Sequence, residues 1–303
     1  MCGIVGIYSK SSAIGDQLGR HLSRMLVQMG DRGPDSAGVA VYRDPVADGS
    51  SKLSLHAPGA AADWDEVVAE LDRAVGVETS RIVSAEHALV TVRTDARTAQ
   101  AHVAAALPGL AVASAGSSIE IYKDAIRPAE FVERFALDGM SGTHALGHTR
   151  MATESRVTTA GSHPFSTGMD LCLVHNGSLS NHNRLRQQLR QEGMLFQTEN
   201  DTEVAAGYLA WRLREGATLE EALEGCLADL DGFYTFAVGT RDGFAVLRDP
   251  IACKPAIMAE TDDWVAMASE YRALAVLPGA EDARLWEPEP ATVYSWGAAA
   301  VPV

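Results

Sequence analysis

Residues 1–8 read MCGIVGIY, a short apolar run punctuated by Gly3 and Gly6, with a cysteine directly behind the initiator methionine. The run is rich in β-branched residues and too short for a helix, so it reads as the opening strand. Trimming of Met1 would leave Cys2 with a thiol and a free α-amine on the same carbon. The ordinary thiol value lies near ~8.5 and the α-amine near ~7.7 to 8.0, so the amine can take the thiol proton near neutral pH, directly or through a water. Cys2 is therefore a candidate nucleophile with a base built in.

Working outward, Ile14, Leu18, Leu22, Met25, Leu26 and Met29 recur at helical spacing and predict one amphipathic helix closed by Gly30. SAGVAVY (36–42) reads as a strand and RDPVADGSS as a turn-rich loop. Between 43 and 142 the chain changes character. WDEVVAELDRAVG and ARTAQAHVAAAL read as helices, HALVTVR as a strand, and LAVASAGSSIEIYK as a hairpin turning at Ala115 to Ser117. Little chemistry is visible there, and the span is expected to be an inserted small α/β subdomain with a possible docking surface. Strands resume in HALGHTRMAT and DLCLVHNG. Helices follow at about 181–191, 202–214 and 219–230, the last with a capping box from Thr218 and Glu221. Short strands then alternate with turns to the end. Strands at both ends with helices grouped between them predict an α+β layered fold in which sheets pack on each other.

The 303 residues carry 25 basic and 40 acidic side chains, a net charge of -15, which argues against nucleic acid and anionic membranes as partners. No signal-peptide pattern or apolar span is visible, so the expected location is cytoplasmic. Cys2, Cys172, Cys226 and Cys253 form no C-x-x-C pair, which leaves a disulfide framework or zinc knuckle without support. His144 and His148 would suit a metal on a helix, but on a strand they lie roughly 13 Å apart, so no metal is expected.

The remaining motifs supply polar groups at turns. RGPDSAG (32–38) flanks a Gly-Pro turn with Arg32 and Asp35, which could simply pair with each other. GHTRMAT puts Arg150 near a strand end, where a guanidinium can grip a carboxylate through two bonds. SHPF (162–165) places His163 before a proline in a loop. In VHNGSLSN, the Asn176 amide and the Gly177 N–H can aim the same way and form an oxyanion hole. TENDTEV sets Asp201 at a helix start, as a cap or as a partner for an ammonium. Together they are a nucleophile, an oxyanion pair, a cation for a carboxylate and an anion for an amine. An amino acid carrying an amide or ester fits that set.

In this order, MCGIVGIY, RGPDSAG, GHTRMAT, SHPF, VHNG and NDTE, with RDPIACKP (248–255) and ASEYRAL (268–274), resemble the class II glutamine amidotransferases, which are N-terminal-nucleophile hydrolases. The resemblance covers roughly 1–42 and 143–275. It implies a four-layer αββα sandwich and hydrolysis of L-glutamine to glutamate and ammonia. Cys2 would be the nucleophile, Asn176 and Gly177 the oxyanion hole, Arg150 the clamp for the substrate carboxylate and Asp201 the partner of its ammonium. Thr153 and His163 would line the glutamine loop, and Arg32 would support the site. Met151 stands where the family usually has an aromatic residue, and Glu154 adds a carboxylate beside the pocket.

The chain ends about thirty residues after these motifs, so another chain is expected to supply the ammonia acceptor. HTRMATESRVTTAGSHPFSTG and VHNGSLSNHNRLR resemble the amidotransferase-like subunit of N-methylglutamate synthase and its glutamate synthase relatives. That implies a β-helical subunit and a flavin-containing synthase subunit as partners, with FMN and iron–sulfur in a partner and no cofactor in this chain. Two other readings remain: a glutamate- or glutamine-binding or scaffolding subunit that does not hydrolyse, and an acylase for a larger amide.

Overall fold

The computed structural model describes residues 2–59, 62–84, 86–152 and 157–297. In chain order the strands begin with β1 (Gly3–Ser9), β2 (Ser36–Tyr42), β3 (Ser51–His56) and β4 (Val77–Ser84). Next come β5 (His87–Val92), β6 (Ala111–Gly116), β7 (Ile119–Asp124) and β8 (His144–Arg150). Then follow β9 (Phe165–Gly168), β10 (Leu171–Leu179), β11 (Gly232–Thr240) and β12 (Gly243–Arg248). The last are β13 (Ile257–Glu260), β14 (Trp264–Ala268), β15 (Arg284–Trp286) and β16 (Val293–Gly297). The helices are α1 (Ser12–Gly15), α2 (Leu18–Gln28), α3 (Trp64–Val75), α4 (Ala96–Ala106) and α5 (Pro128–Arg134). α6 (His182–Gln191), α7 (Asp201–Arg214), α8 (Leu219–Asp229) and α9 (Tyr271–Leu274) complete them.

β1 lies in the middle of a seven-stranded sheet of order β15-β13-β14-β1-β8-β2-β7. Both faces of that strand are covered, which is why it is a continuous apolar run rather than an alternating one. Val5 and Ile7 point to a core shared with α2, α5 and α9, while Ile4 points to a second core with Cys172, Val174, Ala237 and Phe244 of the five-stranded sheet. That second sheet runs β16-β12-β11-β10-β9. Its far face packs on α6, α7 and α8 through Leu173, Phe236, Leu189, Leu209 and Leu223. The chain is thus a mixed α/β structure whose strand pairs are antiparallel among the described residues.

A four-stranded sheet, β4-β5-β3-β6, carries α3 and α4 on a core of its own built from Leu53, Leu55, Trp64, Leu71, Val90 and Val103. Asp63 and Asp95 cap the two helices by accepting from the N–H groups of Glu66 and Thr98. Within the span 43–142 the separate sheet therefore takes 51–116. β7 pairs with β2 in the seven-stranded sheet, and α5 packs into that sheet's helix-side core.

The segment read as a hairpin at 115–117 is a corner between sheets: β6 pairs with β3, and β7 pairs with β2. Asp170 holds the corner, its carboxylate accepting from the N–H groups of Ser117, Ser118 and Ile119. The helix read as continuous from 14 to 29 is broken into α1 and α2. Gly19 N–H donates to Met140 O, and Gly15 O accepts from Gly142 N–H, so the bond that would have joined the two turns is not made. Helices at 182–191, 201–214 and 219–229, and the Thr218–Glu221 capping box, fall where their sequence signals stand. No helix among the described residues is long and apolar enough to cross a membrane.

Candidate functional site

Cys2 precedes β1 at the end where Gly3 pairs with Thr149 of β8. Its carbonyl oxygen accepts two side-chain donors, Nε of Arg32 at 3.0 Å and Nδ2 of Asn176 at 3.4 Å. The turn after α2 supplies Arg32 and the five-stranded sheet supplies Asn176, so the two layers meet on the residue that opens β1. Arg32 pairs with Glu270 at 2.6 Å, and Arg272 binds the other oxygen of the same carboxylate at 2.7 Å. The Arg32 hydrogen bond, followed by the Arg272 charge, holds the Glu270 carboxyl below the usual range. Asp35, the alternative partner for Arg32 in the sequence, instead accepts from the Ala152 N–H, and its own N–H donates to Arg150 O. RGPDSAG thereby steers the chain as it leaves β8. Gly33 is required for that approach, because a Cβ there would collide with the backbone of Thr149 and Arg150.

Arg150 ends β8, is buried, and donates through Nη1 to Gly161 O at 3.2 Å. Asn176 and Gly177 lie on β10, opposite Thr235 and Tyr234 of β11. On its other side β10 pairs with the short β9 only at Leu171 and Leu173, so the half that carries Asn176 has β11 alone as a strand neighbour among the described residues. Gly177 has φ +154°, and a Cβ there would strike Phe233 O and approach Nε2 of His175 to 2.7 Å. Asp201 is the first residue of α7, behind the N-cap Asn200, and its Oδ2 accepts from Leu179 N–H at 2.9 Å. The carboxylate is thus tied to the end of the strand that carries Asn176.

A buried polar chain runs behind these groups. Thr202 Oγ1 lies 2.8 Å from Nε2 of His163 and 2.9 Å from Nδ1 of His175. His148 donates through Nε2 to His175 O and stacks on His163 with ring centroids 3.9 Å apart. Burial disfavours the charged imidazoles. It pushes His148 down to about 3, His163 well below its ordinary value, and His175 downward against the opposing pull of Asp201. All three are neutral near pH 7, so they fix geometry by hydrogen bonding rather than by charge. His163 follows the loop touched by Arg150, and its bond to Pro164 is cis.

Direct hydrogen bonds therefore bring together Cys2, Arg32 and Asn176. His163 and Asp201 are linked to them through Thr202, His175 and the end of β10. Thr153, like Glu154, lies outside the described residues; Met151 is 38% exposed. Sequence reasoning assigned no role to His175, Thr202 or Glu270, although each stands inside or beside a quoted motif. Their positions next to Asn176, Asp201 and Tyr271 were the available signal. His148 and His144, a metal pair only if they stood on a helix, instead donate to His175 O and Thr240 O across the sheets. Among the described residues no three His, Cys, Asp or Glu side chains are grouped to hold a metal ion.

Comparison with known proteins gives three findings. A family model described as a glutamine amidotransferase domain matches residues 148–276. The glutamine amidotransferase-like protein GlxB of Rhizobium meliloti is 54% identical over 298 residues, 98% of each chain. Among solved structures, the glutamine phosphoribosylpyrophosphate amidotransferase of B. subtilis superposes with a TM-score of 0.63 at 21% identity, covering 99% of this chain and 48% of that one. The present chain spans about half the length of that structure, and the likeness is one of fold.

Proposed function

The chain belongs to the glutamine amidotransferase-like family, and on that premise we propose that it is a glutaminase-type subunit that cleaves the side-chain amide of L-glutamine through a thioester on Cys2. Removal of Met1 frees the α-amine, which takes the thiol proton as sulfur attacks the amide carbon. The oxyanion that forms is held by Nδ2 of Asn176 and the Gly177 N–H. The amine returns the proton to the departing nitrogen, ammonia leaves, and a water activated by the same amine hydrolyses the thioester to glutamate. Arg150 binds the substrate carboxylate, Asp201 its ammonium, Thr153 and His163 line the pocket, and Arg32 keeps Cys2 in place. The observation that carries this reading is the pair of bonds on Cys2 O, which puts the Asn176 amide within hydrogen-bond reach of the nucleophile's own residue.

The sequence of cores, helix on sheet, sheet on sheet and sheet on helix, supports reading the main body as a four-layer αββα sandwich with the 51–116 unit beside it. Ammonia then passes to a partner, which we take to be an N-methylglutamate synthase or glutamate synthase-like assembly in the cytoplasm. Its flavin-containing subunit and β-helical subunit would dock on the inserted unit, with FMN and iron–sulfur in the partner. A second reading, a subunit that binds glutamine or glutamate without hydrolysing it, is favoured by the residue types Met151 and Glu154 shortly after Arg150 in the sequence.

Intact mass before and after exposure to a glutamine-mimicking diazoketone, with peptide mapping, separates the two. Loss of Met1 with a single adduct on Cys2, and a glutaminase rate that falls at least about a thousandfold in Cys2→Ala, is the expected result. A retained Met1 with no adduct, in the isolated chain and in its complex, would leave only the binding reading.

A further inference from the structure

Lys123 of β7 is a buried ammonium outside the groups assigned above. It stands opposite Gly38 of β2, and a Cβ on Gly38 would run into the carbonyl of His163. The loop that carries His163 therefore lies directly on this edge of the sheet. Nζ of Lys123 lies 3.2 Å from Ala160 O, 3.0 Å from Ser162 O and 3.4 Å from Pro164 O. An ammonium has three N–H donors, and all three are satisfied by alternate carbonyls of one loop. The next carbonyl in between, Gly161 O, is taken by Arg150. The ammonium nitrogen also lies over the Phe165 ring, 4.6 Å from its centroid.

Keeping a cation in such a place is costly, and an apolar residue of similar volume would serve packing at least as well. What the ammonium alone supplies is a point that gathers three carbonyls. We propose that Lys123 is a positioning residue of the glutamine site, holding residues 160–164 so that His163 and the Gly161–Arg150 contact stand ready for substrate. This deepens the function proposed above and rests on it. The charged or titratable groups facing Lys123 are Glu203 of α7, which favours its charge, and His163 and His56, which share its surroundings. Desolvation outweighs Glu203 and brings the ammonium down to about 8. Above that pH one donor is lost, and with it one loop carbonyl.

The test uses the full-length chain with Lys123→Met, which keeps length and removes the donors, and Lys123→Gln, which keeps an amide. Glutamine KM is expected to rise about tenfold in Lys123→Met with kcat within about threefold, and less in Lys123→Gln. In the unaltered protein KM should climb above about pH 8, and in Lys123→Met that climb should vanish. Amide hydrogen exchange over 157–165 should quicken in both variants. Equal losses in kcat and KM, an unchanged KM, or exchange unchanged over 157–165 in a folded variant would each overturn the proposal. If Lys123→Met does not fold, Lys123→Gln carries both readouts. A wild-type chain that hydrolyses no glutamine sinks the proposed function, and the exchange of 157–165 still decides whether Lys123 holds the loop.

Discussion

Asn176 sits where a strand still has a neighbour on one side and has lost it on the other. Its backbone is fixed by β11, and its amide reaches across to the carbonyl of Cys2. Asn176→Ala removes a donor from where negative charge would develop, so kcat for glutamine should fall about a hundredfold or more with little change in KM, measured by steady-state glutaminase assay. Gly33 tests the steric side of the site. A methyl group there meets backbone that cannot rotate away, and Gly33→Ala should cost about 2 kcal/mol or more by urea denaturation. Both residues were legible as members of motifs. What Gly33 makes room for was not, because its neighbour is more than a hundred positions away in the chain.

At the level of elements, the signals that worked were local ones. Thr218 and Glu221 close a capping box within a single turn, and no distant residue is needed to read it. The two misread elements failed through distant contacts. The turn at 117–118 has strands on both sides, yet Asp170 takes its N–H groups and sends β7 to another sheet. Asp170→Ala would leave three backbone donors without their carboxylate. It should lower stability by about 3 kcal/mol, read as a shift of the denaturation midpoint with an unchanged slope. The break between α1 and α2 likewise depends on Met140 and Gly142, which reach the helix from beyond the 51–116 unit.

Across the whole molecule, buried neutral histidines join the sheets. His144 bridges β8 to Thr240 of β11, His148 bridges β8 to β10, and His87 of β5 bonds to Lys123 O of β7. Burial pushes His87 and His144 down to about 4 and His148 to about 3, while the unfolded chain binds protons at these side chains below about 6.5. Lowered folded-state values mean that the unfolded state holds more protons below pH 6.5, so the stability these groups carry is present above that pH. It is lost as pH falls through the folded values, at up to about 1.4 kcal/mol per pH unit for each group. Denaturation midpoints followed from pH 7 to pH 4 should therefore drop steeply. His148→Gln, which keeps a donor and cannot charge, should flatten the slope.

The amino-acid sequence by itself determined the order of the motifs, the opening strand, the central helices and the chemical types at Cys2, Arg150, Asn176 and Asp201. Periodicity, caps and turn residues act over a few positions and are written where they act. Tertiary structure alone decided that Cys2 O is shared by Arg32 and Asn176, that Arg32 pairs with Glu270 rather than Asp35, and that Lys123 gathers the loop before His163. Each of these contacts is between groups whose separation in space is set by sheet register and layer packing. A one-residue slip in β7 would turn Lys123 to the other face without altering any local signal.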